Sequence, residues 1–444
     1  MREDRKPLIL RGARQVGKTT VVEMFRAEVP RALHVDCERP GHAALFRRGL
    51  SAADLVQAMA LLPGQPTPRG DGPTLLFIDE IQACPEALLA LRFLYEDLPA
   101  CRVVAAGSLL EAALGQAQIS MPVGRVEYLA IHPVTFAEFL EATGARDALA
   151  AYLQTPCPDF AVPALQQAFR RWCLIGGMPE AVARAAAGAG PADLAPWYDH
   201  LLTAYRDDLV KYARRGLLEQ VVRHCMAAAP LEAGQRITLA GFGGSSYRAR
   251  EVGEALRLLE QAHLVRICYP VTATQLPATP GLHKHPRLQF LDTGLMNAAL
   301  GLQGQVLTAD DLADVHQGRM IEHAVGQELL GREDTVGAKP WFWIRDKPQA
   351  QAEVDFVIPW QGRLVAVEVK KGAQGRLRSL HQFVDQQAAH TSTPVAIRLY
   401  NGVVRADHLK TVGGTAFILL NLPYACAARI PEHLEAWQAG GLGA

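Results

Sequence analysis

The chain has 444 residues, 49% of them hydrophobic and 20% charged, with 45 Lys or Arg balancing 45 Asp or Glu. That length accommodates about three domains, the composition excludes a disordered or wholly membrane-embedded chain, and zero net charge nominates no partner, so any nucleic-acid surface must be a local patch. No apolar run approaches the roughly 20 residues that span a bilayer, the start lacks the apolar stretch of a secretory signal, and the eight scattered cysteines form no C-x-x-C pair, so the chain reads as cytoplasmic with reduced core cysteines and no membrane partner.

Residues 1–142 alternate short apolar runs with longer helical patterns, the signature of βαβ units around a parallel sheet. "KPLILRG", "ALHVDC", "TLLFIDE", "CRVVAAGS" and "VEYLAIHP" are the expected strands. A Pro- and Gly-rich loop is expected at 61–73 and a linker at 153–163. Residues 143–230 read as a helical, Ala-rich linker or lid, and 231–310 as strand, turn, helix, strand. Residues 311–430 give a helix followed by several strands, and 431–444 a flexible tail ending in Gly-rich sequence. The expected class is α/β.

"GARQVGKT" fits G-x-x-x-x-G-K-[ST] between the apolar run "LIL" and the helical "TVVEMFRAE". In that context Gly12, Ala13, Arg14, Gln15, Val16 and Gly17 wrap the backbone so that successive N–H groups face phosphate oxygens, continuing through Lys18, Thr19 and Thr20 into a helix N-terminus. Lys18 adds a point charge at the β and γ oxygens, and Thr19 offers a hydroxyl to Mg²⁺. "LLFIDEIQ" ends an apolar strand in Asp79 and Glu80, at the carboxyl edge where ligands of parallel sheets collect. Asp79 is expected to hold Mg²⁺ and Glu80 to polarise the attacking water. Ser108, ending "CRVVAAGS", is placed to sense the γ-phosphate, and Arg125 to neutralise transition-state charge in its own or a neighbouring subunit.

"GARQVGKTT", "LLFIDEIQ", "AGSLLEAA" and "VGRVEYLAIHPVTFAEFL" resemble the archaeal-type AAA+ ATPases that recur in bacteria and archaea. "IGGMPEAV" and "YRDDLVKYA" resemble the module of unknown function that follows them. The resemblance implies ATP with Mg²⁺ as ligands, hydrolysis as the activity and a possible homo-oligomer. Ser108 stands where many of these ATPases carry Asn, and the choice between ATP and GTP stays open.

In "SSYRAREVGEALRLLEQAHLVRICYPV", Val252, Ala255, Leu256 and Leu259 form a helical stripe that leaves Arg248, Arg250 and Arg257 off it. Between Gln235 and Phe290 there are seven Lys or Arg against three Glu, a modest basic patch. A winged helix would aim this helix at DNA; the same fold also serves as a spacer or protein-docking module.

"AEVDFVIPW" and "RLVAVEVKK" alternate as two strands, with Glu368 and Lys370 on one face and Asp355 beside them if "WQGR" closes a hairpin. Two carboxylates with a lysine suit Mg²⁺ or Mn²⁺, and the spacing resembles the PD-(D/E)XK core of archaeal Holliday-junction resolvases. That resemblance calls for a further carboxylate from the preceding helix, Glu322 by position with Glu328 in reserve; Ile321, Ala324, Val325 and Leu329 form that helix's apolar stripe. The expected metal ligands here are Glu322, Asp355 and Glu368. Trp343 is expected to pack and Arg345 to face phosphate. A cross-strand ion pair on a non-cleaving, restriction-endonuclease-like scaffold is the competing reading, which makes the whole a nucleotide-dependent switch or regulator. His132, His283 and His285 lack metal-ligand spacing.

Overall fold

The computed structural model describes residues 6–67, 69, 72–110, 124–213, 216–302, 314–346, 352–370, 372 and 377–441. All five expected amino-terminal strands form: β1 (Leu8–Arg11), β2 (Ala32–Asp36), β3 (Thr74–Asp79), β4 (Cys101–Ala106) and β5 (Glu127–Ala130). They make a wholly parallel sheet in the order β2-β3-β4-β1-β5. The order places β4 between β3 and β1, so the acidic strand end, Ser108 and the phosphate loop open onto one edge.

Helices fill the middle section, among them Val162–Ile175, Pro179–Ala186, Pro191–Tyr212 and Leu217–Glu232. Helix Ala249–Gln261 follows, with Val252, Ala255, Leu256 and Leu259 fully buried, and leads into the antiparallel pair β6 (Val265–Cys268) and β7 (Arg287–Phe290). The strand expected near residue 235 is reduced to single bridges, Ala233 to Leu288 and Arg236 to Arg287. Gly241, Gly243 and Gly244, all at positive φ, turn the chain away soon after.

The carboxyl-terminal unit is a six-stranded sheet, β12-β13-β11-β10-β9-β8. Its strands are β8 (Trp341–Ile344), β9 (Glu353–Trp360), β10 (Arg363–Val369), β11 (Val395–Tyr400), β12 (Arg405–Lys410) and β13 (Ala416–Pro423). β9 and β10 form the expected hairpin, turning through Gln361 and Gly362 at positive φ. β10 then crosses through helix Arg378–Gln387 to a parallel β11.

Two expectations need correction. Residues 431–438 are not a flexible tail: helix Ile430–Gln438 takes Pro431 in its first turn and buries Ile430, His433 and Leu434 completely. The apolar stripe expected on helix Asp314–Gly331 holds only in part, at the fully buried Ala324 and Val325. Ile321 and Leu329 are only half-buried, whereas Met320, Leu330 and the polar His323, Gln327 and Glu328 are buried, because neighbours pack on several sides. The parallel sheet and the carboxyl-terminal sheet each keep an apolar cluster of their own, and a larger shared one runs from Ala13 through the helical section to Val367 and Leu434. Helix Phe136–Ala142, assigned to the first domain, joins that cluster through Phe136, Phe139 and Leu140.

Candidate functional site

β1 delivers the chain to a loop that only glycine closes easily: Gly17 has φ 90°, and helix Lys18–Glu28 starts at the next residue. Lys18 is 8% exposed and folds over the loop, its Nζ donating to the carbonyls of Gly12 (3.0 Å) and Ala13 (2.7 Å). Burial pushes its ammonium down to about 8, so an anion that restores charge neutrality is favoured there. Thr19 Oγ1 donates to Asp79 Oδ2 at 2.9 Å. Burial pushes Asp79 up to about 6, against the bonds from Thr19 and from the Glu80 amide (3.0 Å) that hold it down. Glu80 has φ 47° and its Oε2 accepts from Gln82 Nε2; this left-handed residue ends the strand. Ser108 is buried at the end of β4. Of the remaining loop residues, Ala13 and Val16 are buried, Arg14 is half-buried, and Gln15 and Thr20 are exposed.

Thr19 and Asp79 together supply hard oxygen donors on one side of the loop, which fits Mg²⁺. Arg125 lies apart from this group and donates from Nε to Glu96 Oε1 at 2.7 Å, on helix Pro85–Asp97.

Several residues at this site gave no sequence signal. Tyr205 donates to the Arg14 carbonyl, and the Arg14 side chain pairs with Asp208, which Lys211 also meets at 2.8 Å. All three partners lie on helix Pro191–Tyr212, in the stretch "YRDDLVKYA" that was singled out only by resemblance. His34 stacks on Phe77 with ring centroids 4.8 Å apart and brings Nδ1 within 3.1 Å of Glu23. Burial holds His34 below its ordinary value; its place in the alternation of β2 was the available clue.

The second cluster assembles around an unexpected cation. Asp355 Oδ2 accepts from the Val369 amide at 2.8 Å, and Lys370 Nζ sits 2.6 Å from Glu368 Oε1, so Asp355, Glu368 and Lys370 do come together. Glu322 meets Arg287 instead, its Oε1 2.9 Å from Nη1. The same guanidinium pairs with Glu353 and lies 3.8 Å from Asp355 Oδ1. Burial, then the neighbouring Asp355, raises the pKa of both Glu322 and Glu368. Among the described residues no metal-holding group of three His, Cys, Asp or Glu side chains is found; with the Arg287 guanidinium against Glu322, Glu353 and Asp355, the cluster as it stands does not fit a divalent ion. Glu328 is elsewhere: fully buried, it accepts from the Phe136 amide at 2.8 Å. Trp343 is buried and donates to the Thr272 carbonyl, and Arg345 donates to Gln382.

Residues 4–140 match the family model of the AAA domain (AAA_14). This segment is a P-loop ATPase domain. Residues 166–306 and 317–413 match two domains of unknown function, DUF8612 and DUF4143. No curated protein matches the chain. Among solved structures it is similar to the Walker-type ATPase PABY2304 of Pyrococcus abyssi, at 15% identity and TM-score 0.40, over 67% of this chain and 91% of that one. The Aeropyrum pernix ORC2 protein in its ADPNP–ADP complexes follows at 12% and 0.30, over 67% and 88%. Drosophila ORC bound to DNA stands at 16% and 0.23, over 58% and 63%. No helix among the described residues is long and apolar enough to cross a membrane.

Proposed function

We propose that the chain hydrolyses ATP to act on or with duplex DNA, which it grips through a winged helix built on Ala249–Gln261 and engages with a PD-(D/E)XK-like carboxyl-terminal domain. The observation that carries the ATPase half is the joint placement of Lys18, Thr19 and Asp79 around one loop. Loop amides and Lys18 hold the β- and γ-phosphates, and Thr19 and Asp79 hold Mg²⁺, which neutralises phosphate charge. Glu80 orients the attacking water, Ser108 faces the γ-phosphate, and Arg125 completes the site of a neighbouring subunit. Lys18→Ala should abolish nucleotide binding in calorimetry, whereas Glu80→Gln should bind ATP and turn over about a hundredfold or more slowly. Normal turnover by Glu80→Gln would assign the water to another residue.

The DNA half is supported by Arg250 and Arg257, exposed on the far side of a helix whose apolar face is buried, and by Arg248, exposed at that helix's N-cap. Alanine at all three should weaken binding to any duplex and flatten its salt dependence by roughly one in slope per lost phosphate contact. Duplex affinity that ignores salt, or is equal in the triple variant, rejects this surface.

A second reading, a nucleotide-dependent switch that binds DNA or a protein without cleaving, is favoured by Arg287 standing among Glu322, Glu353 and Asp355. Plasmid cleavage with Mg²⁺ or Mn²⁺, lost in Asp355→Ala and Lys370→Ala while ATPase activity is retained, decides for the nuclease.

A further inference from the structure

Arg287 belongs to β7, in the middle module, yet its side chain is 14% exposed and spends its hydrogen bonds on the carboxyl-terminal unit. Nη1 meets Glu322 Oε1 at 2.9 Å and donates to the Asp355 carbonyl at 3.3 Å; Nη2 pairs with Glu353; the guanidinium covers the Phe342 ring at 4.8 Å. Arg236, bridged to Arg287 through the backbone, sends its Nε to the other oxygen of Glu353 at 2.8 Å. Four carboxylates, Glu322, Glu353, Asp355 and Glu368, thus face three cations, two of which come from another module; Lys370 alone is native to the sheet.

Two further observations show a cluster that is not self-sufficient. Glu368 is 5% exposed, and its Oε2 has no hydrogen-bond partner although Oε1 holds Lys370; a buried carboxylate oxygen without a donor is costly. Beside the guanidinium lies a cavity of about 20 Å³ lined by Arg287, Glu322, Asp355, Gly234 and Phe342, room for one water or a small ion. Without the two arginines the cluster would hold four carboxylates against one lysine, the charge balance of a hard-cation site.

We propose that Arg287 is a resident cation that closes this acidic cluster to divalent metal, and that removing its charge lets the cluster take one Mg²⁺ or Mn²⁺. The inference rests on the reading of Asp355, Glu368 and Lys370 as a site, but not on cleavage. A guanidinium and a divalent ion compete for the same oxygens, and a positive charge within 4 Å repels the incoming ion strongly wherever solvent is thin. The contact is therefore a blocking one made between modules, since Arg287 stands on β7 and the oxygens it holds belong to the carboxyl-terminal unit.

The test is direct Mn²⁺ binding to the nucleotide-free full-length chain, read from loss of the free-ion paramagnetic resonance signal. Arg287→Gln should bind one Mn²⁺ per chain at least about tenfold more tightly than the wild type, and adding Asp355→Asn should abolish that gain. Arg287→Lys, which keeps a cation, should stay near wild type. If the single variant fails to fold by circular dichroism, Arg287→Gln with Glu322→Gln removes one buried charge of each sign and carries the same expectation. Equal Mn²⁺ affinity in the wild type and the folded variant, or none in either, overturns the proposal. Mn²⁺ binding without plasmid cleavage would sustain it and reject the nuclease reading instead.

Discussion

Glu328 allows a quantitative expectation. It is fully buried, its Oε1 accepts from the amide of Phe136 at 2.8 Å, and its Oε2 has no partner. Phe136 opens helix Phe136–Ala142, so the carboxylate meets the positive end of a helix dipole. Burial nevertheless dominates and pushes the group from its ordinary value near 4.5 up to about 8. Below pH 4.5 the carboxyl is protonated both folded and unfolded, and its contribution to stability is fully present. Between pH 4.5 and 8 the folded chain holds a proton the unfolded chain has released, so stability falls as pH rises. At about 1.4 kcal/mol per pH unit the loss by pH 8 is on the order of 4 kcal/mol. Glu328→Gln keeps the oxygen that caps Phe136 and cannot ionise. It also buries an amide N–H₂, a cost of about 1–3 kcal/mol that does not change with pH. The measurable quantity is therefore the slope: the melting temperature of the variant minus that of the wild type should rise steadily from pH 5 to pH 8, by about 1 °C per kcal/mol regained in a chain of this length. Scanning fluorimetry across that range suffices. A difference that stays constant would refute the argument that desolvation governs this carboxyl.

Three smaller perturbations probe the neighbouring contacts. Tyr198→Phe removes a hydroxyl that donates to the Ile175 carbonyl at 2.7 Å and to Asp292 Oδ1 at 3.3 Å, and should cost about 1–2 kcal/mol in urea unfolding; no loss would mean Asp292 is satisfied without it. Gly294→Ala places a Cβ 2.1 Å from the Ile175 carbonyl oxygen; since backbone must move, a loss above about 2 kcal/mol is expected, and a neutral result would place those two segments further apart. Tyr205→Phe releases the Arg14 carbonyl and should raise KM for ATP several-fold with kcat little changed, an outcome that equal loss in both parameters would contradict.

What the sequence made legible is local. Gly12 to Thr19 could be read because strand, loop and helix are contiguous, and Asp355, Glu368 and Lys370 because a period of two and a four-residue turn fix which side chains share a face. The expected strands at the amino terminus follow from the same short-range signal. Arg287 could not be read this way: 68 positions separate it from Asp355, whose carbonyl it bonds, and nothing in a charge tally names a partner at that range. Asp292 was missed for a different reason. A fully buried carboxylate accepting from the amides of Gly177 (2.5 Å) and Leu295 (2.8 Å), from Gln327 Nε2 (3.2 Å) and from Tyr198 contradicts the ordinary rule that acidic residues lie outside. The rule yields where all four bonds are supplied by groups that tertiary packing alone brings together. His323, Gln327 and Glu328 defeated the stripe on helix Asp314–Gly331 for the same reason.

The phosphate loop itself illustrates how far the modules depend on one another. Ala13 and Val16 pack into the apolar cluster of the helical section rather than that of the parallel sheet. Tyr205 and Asp208 hold Arg14 from the same helix, Pro191–Tyr212, that offers Tyr198 to Asp292 two turns earlier. Asp292 in turn accepts from Gln327, which shares a helix with Glu322, the carboxylate that grips Arg287. Each step is a hydrogen bond or ion pair at a buried or half-buried position, where alternatives are discrete rather than graded. If residues 1–142 stood alone, the cluster around Ala13 and Val16 would keep only Leu109, Phe136, Phe139 and Leu140 of its buried members, and the Arg14 carbonyl would lose the Tyr205 hydroxyl. The setting of this loop is therefore shared between the parallel sheet and the helical section that follows it.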